Sequence, residues 1–192
     1  MDLSGQVISV KNAVVNKWSG GTTSELYIYP IKSRFSKRNF DFRVSLATVA
    51  STPSQFTPLA NIKRTTLILE GELTLQHEGH HSTNLRRLDQ DSYDGGWETS
   101  SVGQSTNFNV MTRGPVQTVV TTHQLEQDEQ LACPVDEKLC IYLHKGRIAI
   151  IIFNDATILE SGQLFIVPDD APLVIVKALE ESELVTAGFK KN

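Results

Sequence analysis

Apolar residues in this chain recur at every second position over short runs. Phe40, Phe42, Val44 and Leu46 alternate with Asp41, Arg43 and Ser45, and the same period runs through Leu73-Thr74-Leu75 and Phe108-Asn109-Val110. A period of two places successive side chains on opposite faces of a pleated strand. Glycine and proline punctuate the runs at Gly20-Gly21, Pro53, Pro58, Gly71, Gly79, Gly95-Gly96, Gly103, Gly114-Pro115, Gly146, Gly162, Pro168 and Pro172. Short strands with such close punctuation predict an all-β sandwich or barrel, without room for crossover helices. The best helix candidate, the polar stretch Gln124 to Gln130, reads instead as a linker with one turn.

An internal repeat organises the pattern. Leu67-Ile68-Leu69-Glu70-Gly71-Glu72-Leu73-Thr74-Leu75 lies over Tyr142-Leu143-His144-Lys145-Gly146-Arg147-Ile148-Ala149-Ile150. Each copy reads as a strand, a glycine turn and a second strand. The next turn is expected near Asp91 in the first copy and at Gly162 in the second, with the polar insertion His77 to Asn84 as a hairpin tip. Two similar β units follow, residues 1–122 and 123–192. The continuous apolar run Ile148 to Phe153 leaves no alternating face free, so the second unit is expected to lack a polar pocket and to pack against the first or against a second subunit.

Composition narrows the function classes. Among 192 residues, 40% are hydrophobic and 21% charged, which is ordinary for a globular protein. A net charge of −4 argues against nucleic acid as a partner. The six-residue run Ile148–Phe153 is too short to cross a bilayer, and Met1-Asp2-Leu3-Ser4-Gly5 has no leader-like pattern. Two cysteines are too few for a disulfide scaffold. A reduced, cytoplasmic protein is expected, with neither nucleic acid nor membrane as partner.

The candidate motifs divide sharply on context. His77-Glu78-Gly79-His80-His81 spells H-E-x-x-H, but zinc chemistry in that motif needs a helix, and this segment follows a strand and contains a glycine. It reads as a polar hairpin tip. Cys133, Cys140, His123 and His144 have no tight ligand spacing, and inert buried thiols account for the cysteines better than zinc. No Gly-x-Ser-x-Gly elbow is present. Ser19-Gly20-Gly21-Thr22-Thr23 lacks the lysine of a phosphate loop and reads as a tight turn into a strand. The acidic cluster at 126–137 and the basic stretch Lys32, Arg34, Lys37, Arg38 read as solvated loops.

Gly162-Gln163-Leu164-Phe165-Ile166-Val167-Pro168-Asp169-Asp170-Ala171-Pro172-Leu173 resembles the second motif of the cupins, with Leu173 where metal-binding members carry histidine. The His-x-His pair of the first motif is missing: Asn61, Lys63 and Arg64 precede Gly71, and Glu137 and Leu139 precede Gly146. Four ordered blocks, Trp18 to Leu26, Asp41 to Ala47, Arg64 to Gly71 and Asn107 to Met111, resemble the HutD/Ves family, with Asn107 where that family carries aspartate. The resemblance implies a bicupin, two double-stranded β-helix barrels, associated with bacterial histidine utilisation. It implies a ligand-binding or regulatory role rather than a settled reaction, and neither a metal nor another cofactor is expected.

The polar faces of those blocks supply the candidate site. Alternation alone does not say which face is wet; the resemblance points to these faces as the site. Arg43, Ser45, Arg64, Asn107 and Asn109 are expected to converge in the N-terminal barrel. Arg43 and Arg64 would hold a carboxylate, with Asp41 or Glu70 as a counter-charge, while Ser45 and the asparagines read its polar neighbours. The ligand expected from the resemblance is a small carboxylate such as formylglutamate, formiminoglutamate or urocanate, in sensing or buffering. A cupin enzyme of isomerase or hydrolase type and a protein-interaction module are the alternatives, and a homodimer is left open.

Overall fold

The computed structural model describes residues 5–50 and 53–191. Met1 to Ser4, part of the segment read for a leader, lies outside the described residues. Among the described residues the chain is all-β, and no helix is long and apolar enough to cross a membrane. It forms two compact units: Ala13–Gly114, and the N-terminal segment up to Asn12 together with the chain from Pro115 onward. The division expected at residue 122 falls inside a strand, Val116–Leu125, which pairs along its whole length with the C-terminal strand. The chain divides instead at Gly114, where φ is +65° and the turn into that strand begins.

The first unit is one antiparallel eight-stranded sheet. Its strands are β2 (Val14–Trp18), β3 (Gly21–Tyr29), β4 (Phe42–Val49), β5 (Ser54–Phe56), β6 (Ile62–His77), β7 (Ser82–Leu85), β8 (Gln90–Asp94) and β9 (Thr99–Arg113). The order is β2-β3-β4-β9-β6-β7, with β5 on β9 and β8 on β6. Ser19 and Gly20 form the tight turn between β2 and β3. Gly71 does not end a strand as the repeat suggested; it lies inside β6, just past a register shift between Ile68 and Glu70. Its φ is +79°, and a Cβ there would run into the main-chain oxygen of Gln104, so only glycine allows β6 and β9 to stay paired through the bend. The turn expected near Asp91 falls at Arg86–Asp89, where the Asp89 carboxylate accepts the Arg86 N–H at 2.9 Å, leaving Asp91 in β8.

The second unit contains β1 (Val7–Ser9), β10 (Val116–Leu125), β11 (Gln130–Pro134), β12 (Lys138–Lys145), β13 (Arg147–Ile152), β14 (Asp155–Glu160), β15 (Gln163–Ile166), β16 (Leu173–Ala178) and β17 (Ser182–Lys191). Two antiparallel sheets result, β1-β15-β12-β17-β10 and β11-β16-β13-β14. The pairing order repeats that of the first unit. There β4-β9-β6-β8 and β5-β9-β6-β7 share the two long strands; here Gly146 splits the equivalent of β6 into β12 and β13. Ile141, Leu143, Ile148, Ile150, Val174 and Leu184 are fully buried in one core, which explains the continuous apolar runs. The polar stretch after β10 is a single turn, closed by Glu129 N–H on the Glu126 carbonyl.

Gly114 and Gly71 both have positive φ, but a Cβ on Gly114 meets nothing within 4 Å. Gly114→Ala therefore carries only the left-handed backbone cost, about 1–2 kcal/mol. Gly71→Ala is expected to lose clearly more in urea unfolding, because the Gln104 main chain must also shift; equal losses would contradict the bend.

Candidate functional site

Strand register stacks polar residues in rows across the first unit. Ile28, Arg43, Met111, Arg64 and Tyr93 stand opposite one another across β3, β4, β9, β6 and β8. The next row on the same face is Glu25, Ser45, Asn109, Thr66 and Asp91, and Ala47, Asn107 and Ile68 share the row after it. All five expected residues, Arg43, Ser45, Arg64, Asn107 and Asn109, thus share one sheet face. It is an inner face, because Ile68 on it packs with Leu73, Leu75, Leu85 and Tyr93.

The electrostatics differ from the expectation in one respect. Arg43 is 4% exposed, and its Nε donates to Glu25 Oε2 at 2.7 Å while Nη1 reaches Ser45 Oγ at 3.3 Å. The counter-charge is therefore Glu25 on β3, not Asp41, which precedes β4, nor Glu70, which the bulge leaves exposed. Burial works against the Arg43 charge, Glu25 supports it, and repulsion from Arg64 and Arg38 adds to the cost. Phe35 lies under both Arg43 and Arg38, with guanidinium carbons 4.4 and 4.5 Å from its ring centre. Arg64 is half-buried over Phe56 and Tyr93, and its Nη1 lies 3.5 Å from the Thr57 carbonyl. No carboxylate pairs with Arg64 among the described residues. Arg64 and Arg38 both act on Arg43, whose one ion pair is with Glu25, so positive charge gathers at this end of the face.

The inner face of β9 holds an unusual run of small polar side chains: Thr99, Ser101, Ser105, Asn107 and Asn109. Asn109 Oδ1 accepts the Thr66 hydroxyl at 3.0 Å. Tyr93 Oη, Ser101 Oγ, Ser105 Oγ and Asn107 Oδ1 are buried without a hydrogen-bond partner among the described residues. Each such group costs about 1–3 kcal/mol unless something polar meets it.

The tip after β6 is a hairpin turn, as read from sequence, but its histidines do not all point to solvent. His77 is buried, and His77 Nε2 and His81 Nε2 each lie 3.0 Å from Asp91 Oδ2. His77 Nδ1 lies 2.8 Å from Thr99 Oγ1, and burial lowers the His77 pKa despite Asp91. His80 instead stacks on Trp97. Helical spacing was the wrong test for this tip: a tight turn brings positions 77 and 81 to one carboxylate supplied by β8.

Cys133 and Cys140 are buried free thiols, and burial raises both, Cys140 to about 12. They do not converge with His123 and His144 on a common centre among the described residues. The second unit does have an open groove of about 390 Å³, lined in part by Gln117, Thr121, His123, Leu131, Cys133 and Thr186. This corrects the expectation of no polar pocket there. The apolar run belongs to β13, whereas the groove is lined from β10, β11, β12 and β17, which bring threonines and a histidine to it. His123 Nε2 lies 3.0 Å from Thr186 Oγ1.

Paired antiparallel strands in this order, repeated twice, define a cupin-type β protein. The HutD family model matches residues 11–185, and the chain belongs to that family. A conserved protein of unknown function, PA5104 from Pseudomonas aeruginosa PAO1, is similar at 16% identity and a TM-score of 0.85, covering 97% of this chain and 98% of its own. HutD from Pseudomonas fluorescens SBW25 is 15% identical with a TM-score of 0.72, over 96% and 98%. The Escherichia coli pirin YhhW, solved with nickel(II), is 11% identical with a TM-score of 0.73, over 94% and 96%. At these identities the structural likeness concerns the fold. No curated protein matches the chain in sequence.

Two measurements check this geometry. Glu25→Gln is expected to lower stability by about 1–3 kcal/mol by stranding the buried Arg43 charge, and Glu70→Gln, at an exposed position, by less. Equal effects would reject the Glu25 assignment. Burial also lowers the His123 pKa from 6.5, so the unfolded chain takes up that proton first as pH falls. His123 therefore removes stability as pH drops below about 6.5. His123→Gln should flatten that part of the pH dependence, and an unchanged slope would contradict it.

Proposed function

We propose that the chain is a bicupin, two double-stranded β-helix units in tandem, whose first unit binds a small carboxylate metabolite in its interior. The observation that carries this reading is the inner face where Arg64, without a carboxylate partner among the described residues, stands opposite Tyr93, with the buried and unpartnered Asn107 Oδ1 two rows further along. Arg64 supplies the free guanidinium for the carboxylate. Arg43, fixed by Glu25 and Ser45, sets the field behind it, and Asn107 and Asn109 address the polar substituent of the ligand. Family membership supports a link to histidine utilisation, with formylglutamate, formiminoglutamate and urocanate as the ligands to try first. The role is sensing or buffering rather than turnover, since the part of the inner face around Arg64 and Asn107 presents anion donors and amides.

Melting with each of these compounds tests the proposal. At a hundredfold excess over its dissociation constant the true ligand adds about 2.7 kcal/mol of stability. Arg64→Gln, a half-buried position outside the ion pair, should abolish the shift while the protein still folds. A ligand bound equally well by Arg64→Gln would place the site elsewhere.

A further inference from the structure

We propose that His77, His81 and Asp91 form a site for a divalent first-row metal ion of the zinc class, at the tip of the β6–β7 hairpin. The inference is independent of the carboxylate proposal. His77 Nε2, His81 Nε2 and an Asp91 carboxylate oxygen lie within 4.8 Å of one another. Two imidazoles and one carboxylate suit such an ion, and the two 3.0 Å nitrogen–oxygen separations need to open by only a few tenths of an ångström to reach the roughly 3.4 Å between neighbouring ligands of a tetrahedral ion.

His77 Nδ1 lies 2.8 Å from Thr99 Oγ1, on the side of the ring away from Asp91, while Nε2 lies 3.0 Å from Asp91 Oδ2. With an ion bound, the ring is protonated at Nδ1 and Nε2 turns its lone pair to the metal. Thr99 then accepts from Nδ1 and does what outer partners of metal histidines do, fixing the tautomer and the ring. His81, 43% exposed on the turn, closes the site and leaves it reachable from solvent. These ligands stand on β6, its turn and β8, and so lie outside the His-x-His positions whose absence suggested a metal-free chain.

The test is calorimetric titration of the untagged, chelator-treated full chain with zinc chloride. The wild type should bind one zinc per chain, and His81→Ala and Asp91→Asn should each weaken it at least tenfold while circular dichroism stays unchanged. His80→Ala, at the histidine stacked on Trp97, should bind as the wild type does. Thr99→Val should weaken zinc as well, which a solvent-exposed histidine cluster would not show. Absence of stoichiometric zinc in the wild type, wild-type affinity in either ligand variant, or equal loss in His80→Ala would overturn the site.

Discussion

The register shift between Ile68 and Glu70 is the constraint on which the first unit depends. Before it, Arg64, Thr66 and Ile68 face inward at even positions; after it, Leu73, Leu75 and His77 face inward at odd ones. The extra residue of the bulge changes the parity of the strand at the point where Gly71 lets it bend against β9. One strand thereby contributes the guanidinium to one end of the inner face and an imidazole to the other. Without the shift, the second half of β6 would turn its apolar side chains to solvent.

Electrostatics then separates two kinds of arginine on that face. Arg43 is held by Glu25 and belongs to the structure, since removing either partner strands a buried charge. Arg64 rests on two aromatic rings, which support a cation without neutralising it. The face thus carries one guanidinium paired with a carboxylate and one that rests on aromatic rings.

Much of this was legible in the sequence. Alternation and punctuation indicated an all-β chain, and the repeat placed Gly71 over Gly146, both at positive φ. Alternation, which holds within each short block, groups the five polar positions by face, and the family resemblance is what pointed to that face. What failed was everything that crosses a bulge or depends on pairing between distant strands. Glu25 was invisible as the partner of Arg43 because the two meet across β3 and β4, eighteen residues apart. The burial of His77 is not legible from a polar hairpin tip, because the bulge between Ile68 and Glu70 sets its face, and Asp91 joins it from β8, since the turn expected near Asp91 ends at Asp89. The second unit misled through β13, whose apolar run says nothing of the groove lined by its other strands.

The central claim is that the first unit's interior takes a carboxylate through Arg64. Its most direct test is a crystal structure of the protein soaked with formylglutamate, formiminoglutamate or urocanate. The prediction is density inside the first unit, with a carboxylate on the Arg64 guanidinium and a polar group on Asn107 Oδ1. Ligand seated instead in the second unit's groove around His123, with the inner face of β9 unchanged, would contradict it.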